Sequence, residues 1–395
     1  MGAINVKHTG SGAAIALSSD GTSLLLDGTA IGGGGAALEL YAENPSTPTA
    51  PSVTGSNAVA IGSGSVSSGD RSIAIGNLAN ATSLRAFAVG VNATASGSNA
   101  ISMGGNSASS GSSSVAIGNQ ANSSSSYGLA LGHNAKTATG ADAVAIGQAY
   151  ASGTDSFAAA ISTNSSSYGA SGSGSVAMMN WAKASGSNSG AIGFGANATG
   201  SFAHAFGAQS FATASSSLAL GKQCQATANY ATSIGRGAIN PIKGSFKFSG
   251  SYFSAAGDSQ IGMYPLQIDT SDATPVVLVT DENSTPGAGT NNQVILPNNS
   301  VYGFTGTIIA RENSAQTNDF AVWEVKGGAV RAASAATTAL GSYNINKISE
   351  STGAAAWAIA ISADTTNGAI AFTVTGEASH SIRWVATINT TEVTY

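Results

Sequence analysis

The 395-residue sequence is short of charge and cysteine, and each shortage excludes a class of protein. Charged residues make up 8%, against about 25% in an average soluble protein. With 14 Lys+Arg against 19 Asp+Glu, a basic nucleic-acid-binding tail is excluded. The single cysteine, Cys224, excludes a disulfide framework within the chain and a cysteine-based zinc cluster.

Long apolar runs are also missing. No stretch reaches the roughly eighteen apolar residues of a transmembrane helix, so membrane insertion is not expected. The opening MGAINVKHTG lacks a basic region followed by an apolar core, so no secretory signal is predicted. These absences leave open what ordered structure a chain rich in Gly, Ser and Ala adopts.

Glycine is abundant instead: 51 of 395 residues, or about 13%, against a typical ~7%. Much of it lies in a motif, apolar-Ala-apolar-Gly, that begins as VAIG at 59–62, IAIG at 73–76 and FAVG at 87–90. The motif recurs mostly every 14 residues. Two degenerate copies, ending at Ser162 and Met179, complete thirteen copies over 56–236.

Each copy alternates with period two, which is typical of a β-strand. A second pair of small residues follows the glycine, so each unit is predicted to be a long strand, a turn, a short strand and a turn. Such units stack as the coils of a parallel β-solenoid. A 14-residue coil buries too little apolar surface to offset its ordering entropy, so self-association is expected. Alternation places Val59 and Ile61 on one strand face and Ala60 on the other, without deciding which face lines the coil.

The run AVAIGSGSVSSGDRSIAIGNLANATS resembles the head repeats of YadA-like trimeric adhesins. The resemblance covers about 180 of the 395 residues. It implies a left-handed parallel β-roll of about 14-residue coils, assembled as a homotrimer with a sparsely charged shaft. Between Asp155 and Trp181 the spacing slips and the glycine is lost, so a local bulge carrying Tyr168 and Trp181 is expected.

On this basis the paired apolar residues of the motif are predicted to form the core of the coils or of the trimer. They are Val59, Ile61, Ile73, Ile75, Phe87, Val89, Val115, Ile117, Leu129, Leu131, Val144, Ile146, His204, Phe206, Leu218 and Leu220.

The flanks of the repeats divide into four further regions. Residues 1–40 contain two short apolar segments, at 15–17 and 24–26, which predict a small hairpin-like piece. A proline-containing linker is predicted at 41–55 and a neck at 237–262. The last region, 263–395, contains 11 of the 19 acidic residues and is predicted to be all-β.

Strand-like runs with turn signals between them predict an antiparallel β-sandwich for 263–395. Asn367-Gly368, between two alternating segments, is a strong hairpin signal. The runs lie at 276–279, 293–296, 301–310, 320–325, 355–362, 369–375 and 381–389. The region, with segments such as NNQVILPNNSVYGFTGTIIAREN and SIRWVATINTTEVTY, resembles the C-terminal domain of bacteriophage tail fibres and related virion appendages.

Together the resemblances imply a non-enzymatic, homotrimeric phage tail fibre or spike. The N-terminal segment would dock to other virion tail or capsid proteins, the β-roll would be a spacer, and the C-terminal domain would be distal. The partner would be a host-surface receptor or glycan, without cofactor, metal, nucleic acid or membrane insertion. The alternatives are a structural capsid-surface decoration or fibre, and a polysaccharide-degrading tailspike.

Candidate binding residues are few. Trp181 and Tyr168 are candidates for a sugar-stacking or receptor patch, or else they fill the space that a bulge creates. His204 stands in the first apolar slot of its coil, where three copies in a trimer could bind a metal. A packed neutral imidazole is the favoured interpretation of His204, because one histidine per chain supplies few ligands.

Candidate catalytic residues are fewer still. Cys224 stands where other repeats have alanine, which predicts a small packed side chain instead of a reactive thiol. The acidic residues Glu312, Asp319 and Glu350 show no paired spacing, so they are interpreted as solvated loop charges. No catalytic residue is therefore assigned.

Overall fold

A computed structural model of the chain describes residues 4–6, 15–19, 24–26, 29–31, 49–160, 167–281, 286, 291–313 and 318–395. The chain divides into two units, 1–120 and 121–395. In the described ranges the regular elements are β-strands and two short 3₁₀ helices, Ala335–Thr337 and Thr352–Ala354. The all-β prediction is confirmed. No helix among the described residues has the length and apolar character needed to cross a membrane.

The first unit begins with a four-stranded antiparallel sheet in the order β1-β2-β3-β4. Its strands are β1 Ile4–Val6, β2 Ile15–Ser19, β3 Leu24–Leu26 and β4 Thr29–Ile31. The antiparallel pairing of β2 with β3 is the hairpin predicted for this segment. The predicted linker, 41–55, lies outside the described residues as far as position 48.

The rest of the first unit consists of parallel coils, each with a three-residue and a two-residue strand. The strands are β5 Ser52–Val53, β6 Val59–Ile61, β7 Val66–Ser67, β8 Ile73–Ile75, β9 Asn80–Ala81, β10 Phe87–Val89, β11 Thr94–Ala95, β12 Ile101–Met103, β13 Ala108–Ser109 and β14 Val115–Ile117. Phe87 lies level with Ile73 on one side and Ile101 on the other, one repeat away in each direction. The predicted repeat is therefore the pitch of a parallel β-solenoid.

The second unit also contains coils of this design. Their strands are β15 Asn122–Ser123, β16 Leu129–Leu131, β17 Lys136–Thr137, β18 Val144–Gly147, β19 Tyr150–Ala151, β20 Phe157–Ala160, β21 Gly169–Ala170, β22 Val176–Met178, β23 Lys183–Ala184, β24 Gly190–Ile192, β25 Asn197–Ala198, β26 His204–Phe206, β27 Phe211–Ala212, β28 Leu218–Lys222, β29 Gln225–Ala226, β30 Thr232–Arg236, β31 Ile239–Asn240 and β32 Phe246–Ser249.

The coils extend beyond the predicted end of the repeats at 236, into the predicted neck, 237–262. Strand β32 pairs in parallel with β30, placing Lys247 level with Ser233 and Ser249 level with Gly235. The sequence motif missed this coil because Lys247 and Ser249 stand where other copies have alanine and glycine.

The irregular copies have a different register from the one predicted. Gly147 pairs with Ala160, so the equivalent glycine position is Ala160 and not Ser162, which lies outside the described residues. Met178 pairs with Ile192, which keeps Met179 level with Gly193 as predicted. The extra residues therefore fall between Ala160 and Met179, and Trp181 lies in a regular turn after them.

Two antiparallel sheets form the C-terminal part of the second unit. The strands are β33 Ser259–Thr270, β34 Val276–Val277, β35 Val294–Ile295, β36 Ser300–Glu312, β37 Phe320–Arg331, β38 Ala339–Glu350, β39 Ala358–Asp364, β40 Ala369–Thr375 and β41 Ile382–Thr394. The larger sheet has the order β33-β41-β36-β37-β38 and is joined to the coils through the antiparallel pairing of β32 with β33. In the smaller sheet β40 pairs with β39 on one edge and with β34 and β35 on the other.

The two sheets share one core, as expected for a sandwich. The indole rings of Trp323 and Trp384 stack 5.5 Å apart, and Phe304 of the larger sheet meets Phe372 of the smaller sheet edge-on at 5.5 Å. The predicted Asn367-Gly368 hairpin joins β39 to β40, with Gly368 at φ 71°. Alternation along the larger sheet therefore buries one face and exposes the other.

Candidate binding surfaces and a buried lysine–glutamate cluster

The coil interior consists of small side chains. Each long strand turns its middle residue inward, as Ala74, Ala88 and Ala145 do with no exposed surface. Where serine replaces alanine inside, the hydroxyls pair with each other, as in Ser67–Ser72 at 2.6 Å. The alanine face of the long strands is therefore the one that lines the coil.

The large apolar residues lie on the outside of each coil. None of the sixteen residues predicted as core is buried in the single chain, and Val59 keeps 43% of its surface exposed. They belong to the first and third positions of the long strands, which alternation turns away from the alanine-filled interior. Of the two predicted places, the coil interior is excluded for these residues, because mainly Ala and Ser fill it. A place in the core of a trimer stays a prediction.

The outer face of the short strands has a different character. In the first unit its residues are Ser52, Val66, Asn80, Thr94 and Ala108. In the second unit they are Asn122, Lys136, Tyr150, Gly169, Lys183, Asn197, Phe211, Gln225 and Ile239. Taken together, the long strands have a mostly apolar outer face and the short strands a mostly polar one.

The aromatic candidates lie at coil turns. Trp181 occupies a turn position with φ 58°, and its ring packs on Phe194 of the next coil with centroids 4.8 Å apart. Both rings are about half exposed. Because Gly169 pairs with Lys183, the preceding Tyr168 lies level with Ala182, one position from Trp181. The structure thus places Tyr168 and Trp181 on neighbouring coils. Phe194, which no sequence pattern predicted, joins them as a third exposed aromatic residue.

The predictions for Cys224 and His204 have different outcomes. Cys224 is fully buried, with Sγ 3.1 Å from the Gly235 carbonyl oxygen, and burial raises the pKa of its thiol. The prediction of a packed, small side chain is confirmed.

His204 is not packed inside the coil. It is exposed on the long-strand face, and its ring stacks on Phe206 with the ring centroids 5.8 Å apart. Among the described residues no group of three or more His, Cys, Asp or Glu side chains could hold a metal.

The acidic candidates are not all solvated. Glu312 is 7% exposed and lies 3.1 Å from Nδ1 of His380. The Ser351 hydroxyl donates to Asp319 Oδ1 at 2.6 Å, and the Lys347 ammonium donates to Glu350 Oε2 at 2.5 Å. The interpretation as free loop charges is therefore wrong for Glu312, which alternation on β36 turns into the interior.

A buried polar cluster, which no sequence pattern predicted, joins the last coil to the larger sheet. This Lys247 cluster consists of Lys247, Gln260, Tyr264, Tyr302, Thr390 and Glu392. The Glu392 carboxylate accepts hydrogen bonds from the Lys247 ammonium, the Tyr264 hydroxyl at 2.9 Å and the Thr390 hydroxyl at 2.6 Å. The only available signal in the sequence was a lysine in the inward slot of a coil.

Burial and the ion pair act in opposite directions within this cluster. Burial lowers the pKa of the Lys247 ammonium, although Glu392 favours its charged form. For Glu392 burial acts to raise the pKa, but Lys247 and the neighbouring hydrogen-bond donors outweigh it and the pKa is lowered. Burial, with Glu392 nearby, raises the pKa of the Tyr264 and Tyr302 hydroxyls well above the ordinary value. Both tyrosines therefore stay protonated, and the Tyr264 hydroxyl donates to Glu392.

Four segments, 54–79, 81–107, 109–135 and 212–238, match the YadA head domain repeat. The coils in these segments are therefore similar to YadA head repeats. No curated protein sequence matches the chain.

Three solved structures resemble the chain at low identity. Tailspike gp49 of Acinetobacter baumannii bacteriophage Fri1, a capsular polysaccharide depolymerase, is 8% identical, with 88% of this chain and 48% of that chain covered and a TM-score of 0.24. The tailspike of Acinetobacter phage vB_ApiP_P1 is 11% identical, with 87% and 53% covered and a TM-score of 0.23. The tailspike of Acinetobacter baumannii phage AM24 is 10% identical, with 91% and 61% covered and a TM-score of 0.20. The chain therefore spans about half to three fifths of the length of these tailspikes.

Proposed function

We propose that the chain is one subunit of a homotrimeric, non-enzymatic phage tail fibre or spike that binds a host-surface receptor or glycan. The observation that carries the assembly is the apolar outer face of the long strands. A contiguous exposed apolar surface marks an interaction site. The branched residues are only partly buried in the single chain, so covering them with other chains would bury more apolar surface and stabilise the fold.

The head repeats support three chains as the partner number, since the YadA-like adhesins that they resemble are trimers. The resemblance of 263–395 to tail-fibre domains supports a virion appendage. The N-terminal segment, 1–40, is proposed to dock to other virion proteins, and the C-terminal sheets are proposed to lie distally. Three chains binding together would gain affinity through avidity.

Two substitutions to aspartate, in neighbouring strands, test the assembly. Ile75→Asp places a charge on the long-strand face, and Val66→Asp places one on the short-strand face. In light-scattering chromatography the wild type and Val66→Asp are expected to run as trimers, and Ile75→Asp as smaller species. A monomeric wild type, or dissociation by Val66→Asp alone, would contradict the proposed interface.

Recognition is assigned to the exposed aromatic group of Tyr168, Trp181 and Phe194. We expect Trp181→Ala to weaken binding of the labelled trimer to host cells. Tyr230→Ala, which removes another exposed turn aromatic, serves as the control. Unchanged cell binding by a stable Trp181→Ala trimer would remove this patch from the proposal. Release of oligosaccharides from host capsular polysaccharide by the wild type would overturn the non-enzymatic assignment.

A further inference from the structure

The Lys247 cluster brings an amine, a carboxamide and a carboxyl group together in one buried space. Gln260 and Glu392 lie directly opposite each other on β33 and β41, and Lys247 lies opposite Gly262 on the adjoining edge. A Cβ at Gly262 would lie 2.6 Å from Glu392 Oε1, so the glycine leaves the space that the lysine uses. Lys247 and Gln260 are thus diagonal neighbours across two strands, within reach of two long side chains.

The carboxamide of Gln260 is held in a defined orientation. Its Oε1 accepts a hydrogen bond from the Ile239 N–H at 3.0 Å, and its Nε2 donates to the Ile239 carbonyl at 3.2 Å. Nε2 also donates to Glu392 Oε2 at 2.9 Å, and the Lys247 ammonium contacts the same oxygen. One carboxylate oxygen therefore touches both the amine and the amide nitrogen.

We propose that Lys247 and Gln260 form an intramolecular isopeptide bond, with Glu392 as the proton carrier. Glu392 takes a proton from the ammonium, and the free Nζ attacks Cδ of Gln260. The Nζ–Cδ bond forms, the Cδ–Nε2 bond breaks, and Glu392 delivers its proton to the departing Nε2. The second proton lost by Nζ leaves through Glu392 with the ammonia, as ammonium, so Glu392 returns to carboxylate and no external reactant is needed.

The surroundings suit this step. Burial lowers the pKa of Lys247, which favours the nucleophilic free amine. The Ile239 N–H lies where negative charge develops on Oε1 during the attack. A cavity of about 350 Å³, lined in part by Lys247, Gln260 and Tyr302, adjoins the cluster and provides a path for ammonia to leave. The product would tie the last coil covalently to the first strand of the larger sheet.

Mass spectrometry of the denatured full-length wild type tests the bond without any substitution. The chain is expected to be lighter than its sequence mass by one ammonia, and digestion is expected to yield one branched peptide joining 247 to 260. An unchanged mass with separate peptides would overturn the proposal. A loss of ammonia that maps to an asparagine succinimide or to a hydroxylamine-sensitive Thr390–Gln260 ester would also overturn it. A loss of water that maps to a Lys247–Glu392 amide would overturn it as well.

Three single-residue variants test the roles of Lys247 and Glu392 in the bond. Lys247→Met and Glu392→Gln are each expected to abolish the mass loss completely. Lys243→Met, which removes a neighbouring lysine that pairs with Asp281 at 2.6 Å, is expected to retain it. A cross-linked peptide that persists in Glu392→Gln would overturn the role of the glutamate, and cross-linking that fails only in Lys243→Met would overturn the choice of lysine.

Discussion

Two adjacent glycines of one coil offer a direct test of why the repeats need glycine. Gly104 has φ 131°, and a Cβ there would lie 2.5 Å from the carbonyl oxygen of Gly118 in the next coil. Gly105 has no such backbone conformation, and a Cβ there would meet only Nδ2 of the exposed Asn119 side chain, at 3.0 Å. The two positions differ in conformation and clearance but share a coil.

The expected cost of Gly104→Ala has two parts. A residue held in a sparsely populated backbone region costs about 1–3 kcal/mol. Inserting a methyl group against a backbone that cannot move costs a further ~1–3 kcal/mol. We therefore expect the free energy of unfolding to fall by about 2–6 kcal/mol, and by less than about 1 kcal/mol for Gly105→Ala, where neither cost applies.

Guanidinium unfolding followed by circular dichroism measures the difference. The wild type, Gly104→Ala and Gly105→Ala are compared at one protein concentration, because assembly makes the unfolding midpoint depend on concentration. Equal midpoints for Gly104→Ala and Gly105→Ala would refute the argument that coil spacing and positive φ impose glycine at the end of the motif.

Three further predictions concern single buried side chains. Ala88→Val fills a coil interior that has no spare volume and is expected to lower the free energy of unfolding by about 1–3 kcal/mol; an unchanged denaturation midpoint would contradict this. Because burial raises the pKa of the Cys224 thiol, iodoacetamide is expected to label it only after unfolding, and rapid labelling of the folded protein at neutral pH would disprove its burial. Burial acts to raise the pKa of Asp258, but the backbone N–H groups of 253–255, which donate to it at 2.7–2.9 Å, lower it overall. The stabilisation by the ionised Asp258 is therefore present above the ordinary aspartate pKa and is lost as the pH falls through the lowered value. Asp258→Asn is expected to be less stable than wild type at neutral pH and equally stable in strong acid. A difference in unfolding free energy that persists in acid would refute the assignment.

The coil architecture could be predicted from the sequence because one local rule repeats. Alternation around Ala74 and Ala88 specifies a strand, and the glycine 14 residues on specifies a turn of fixed pitch. Which strand face lies inside could not be predicted, since alternation is symmetric between its two faces. The decision depends on the coil diameter, which admits Ala and not Ile, and diameter is a property of the folded backbone.

The C-terminal strands were predicted where they are apolar and missed where they are not. Strand β40 was placed correctly at 369–375 because five of its seven residues are apolar and it follows Asn367-Gly368. Strand β38, Ala339–Glu350, was missed because most of its residues are exposed at the sheet edge and carry no alternation. The Lys247 cluster was beyond sequence reasoning for another reason: Lys247 and Glu392 are 145 residues apart, and only strand pairing brings them together.

The pairing of β32 on both of its edges has a consequence for how the chain avoids uncontrolled growth. Repeat arrays present an unpaired strand at each end, which can template the addition of further chains. Here β33 occupies that edge in the antiparallel direction, so a parallel coil from another molecule finds no free N–H or C=O groups on β32. The C-terminal sheet is thus a terminator of stacking, and a chain cut after Ser249 would be expected to polymerise end to end into filaments.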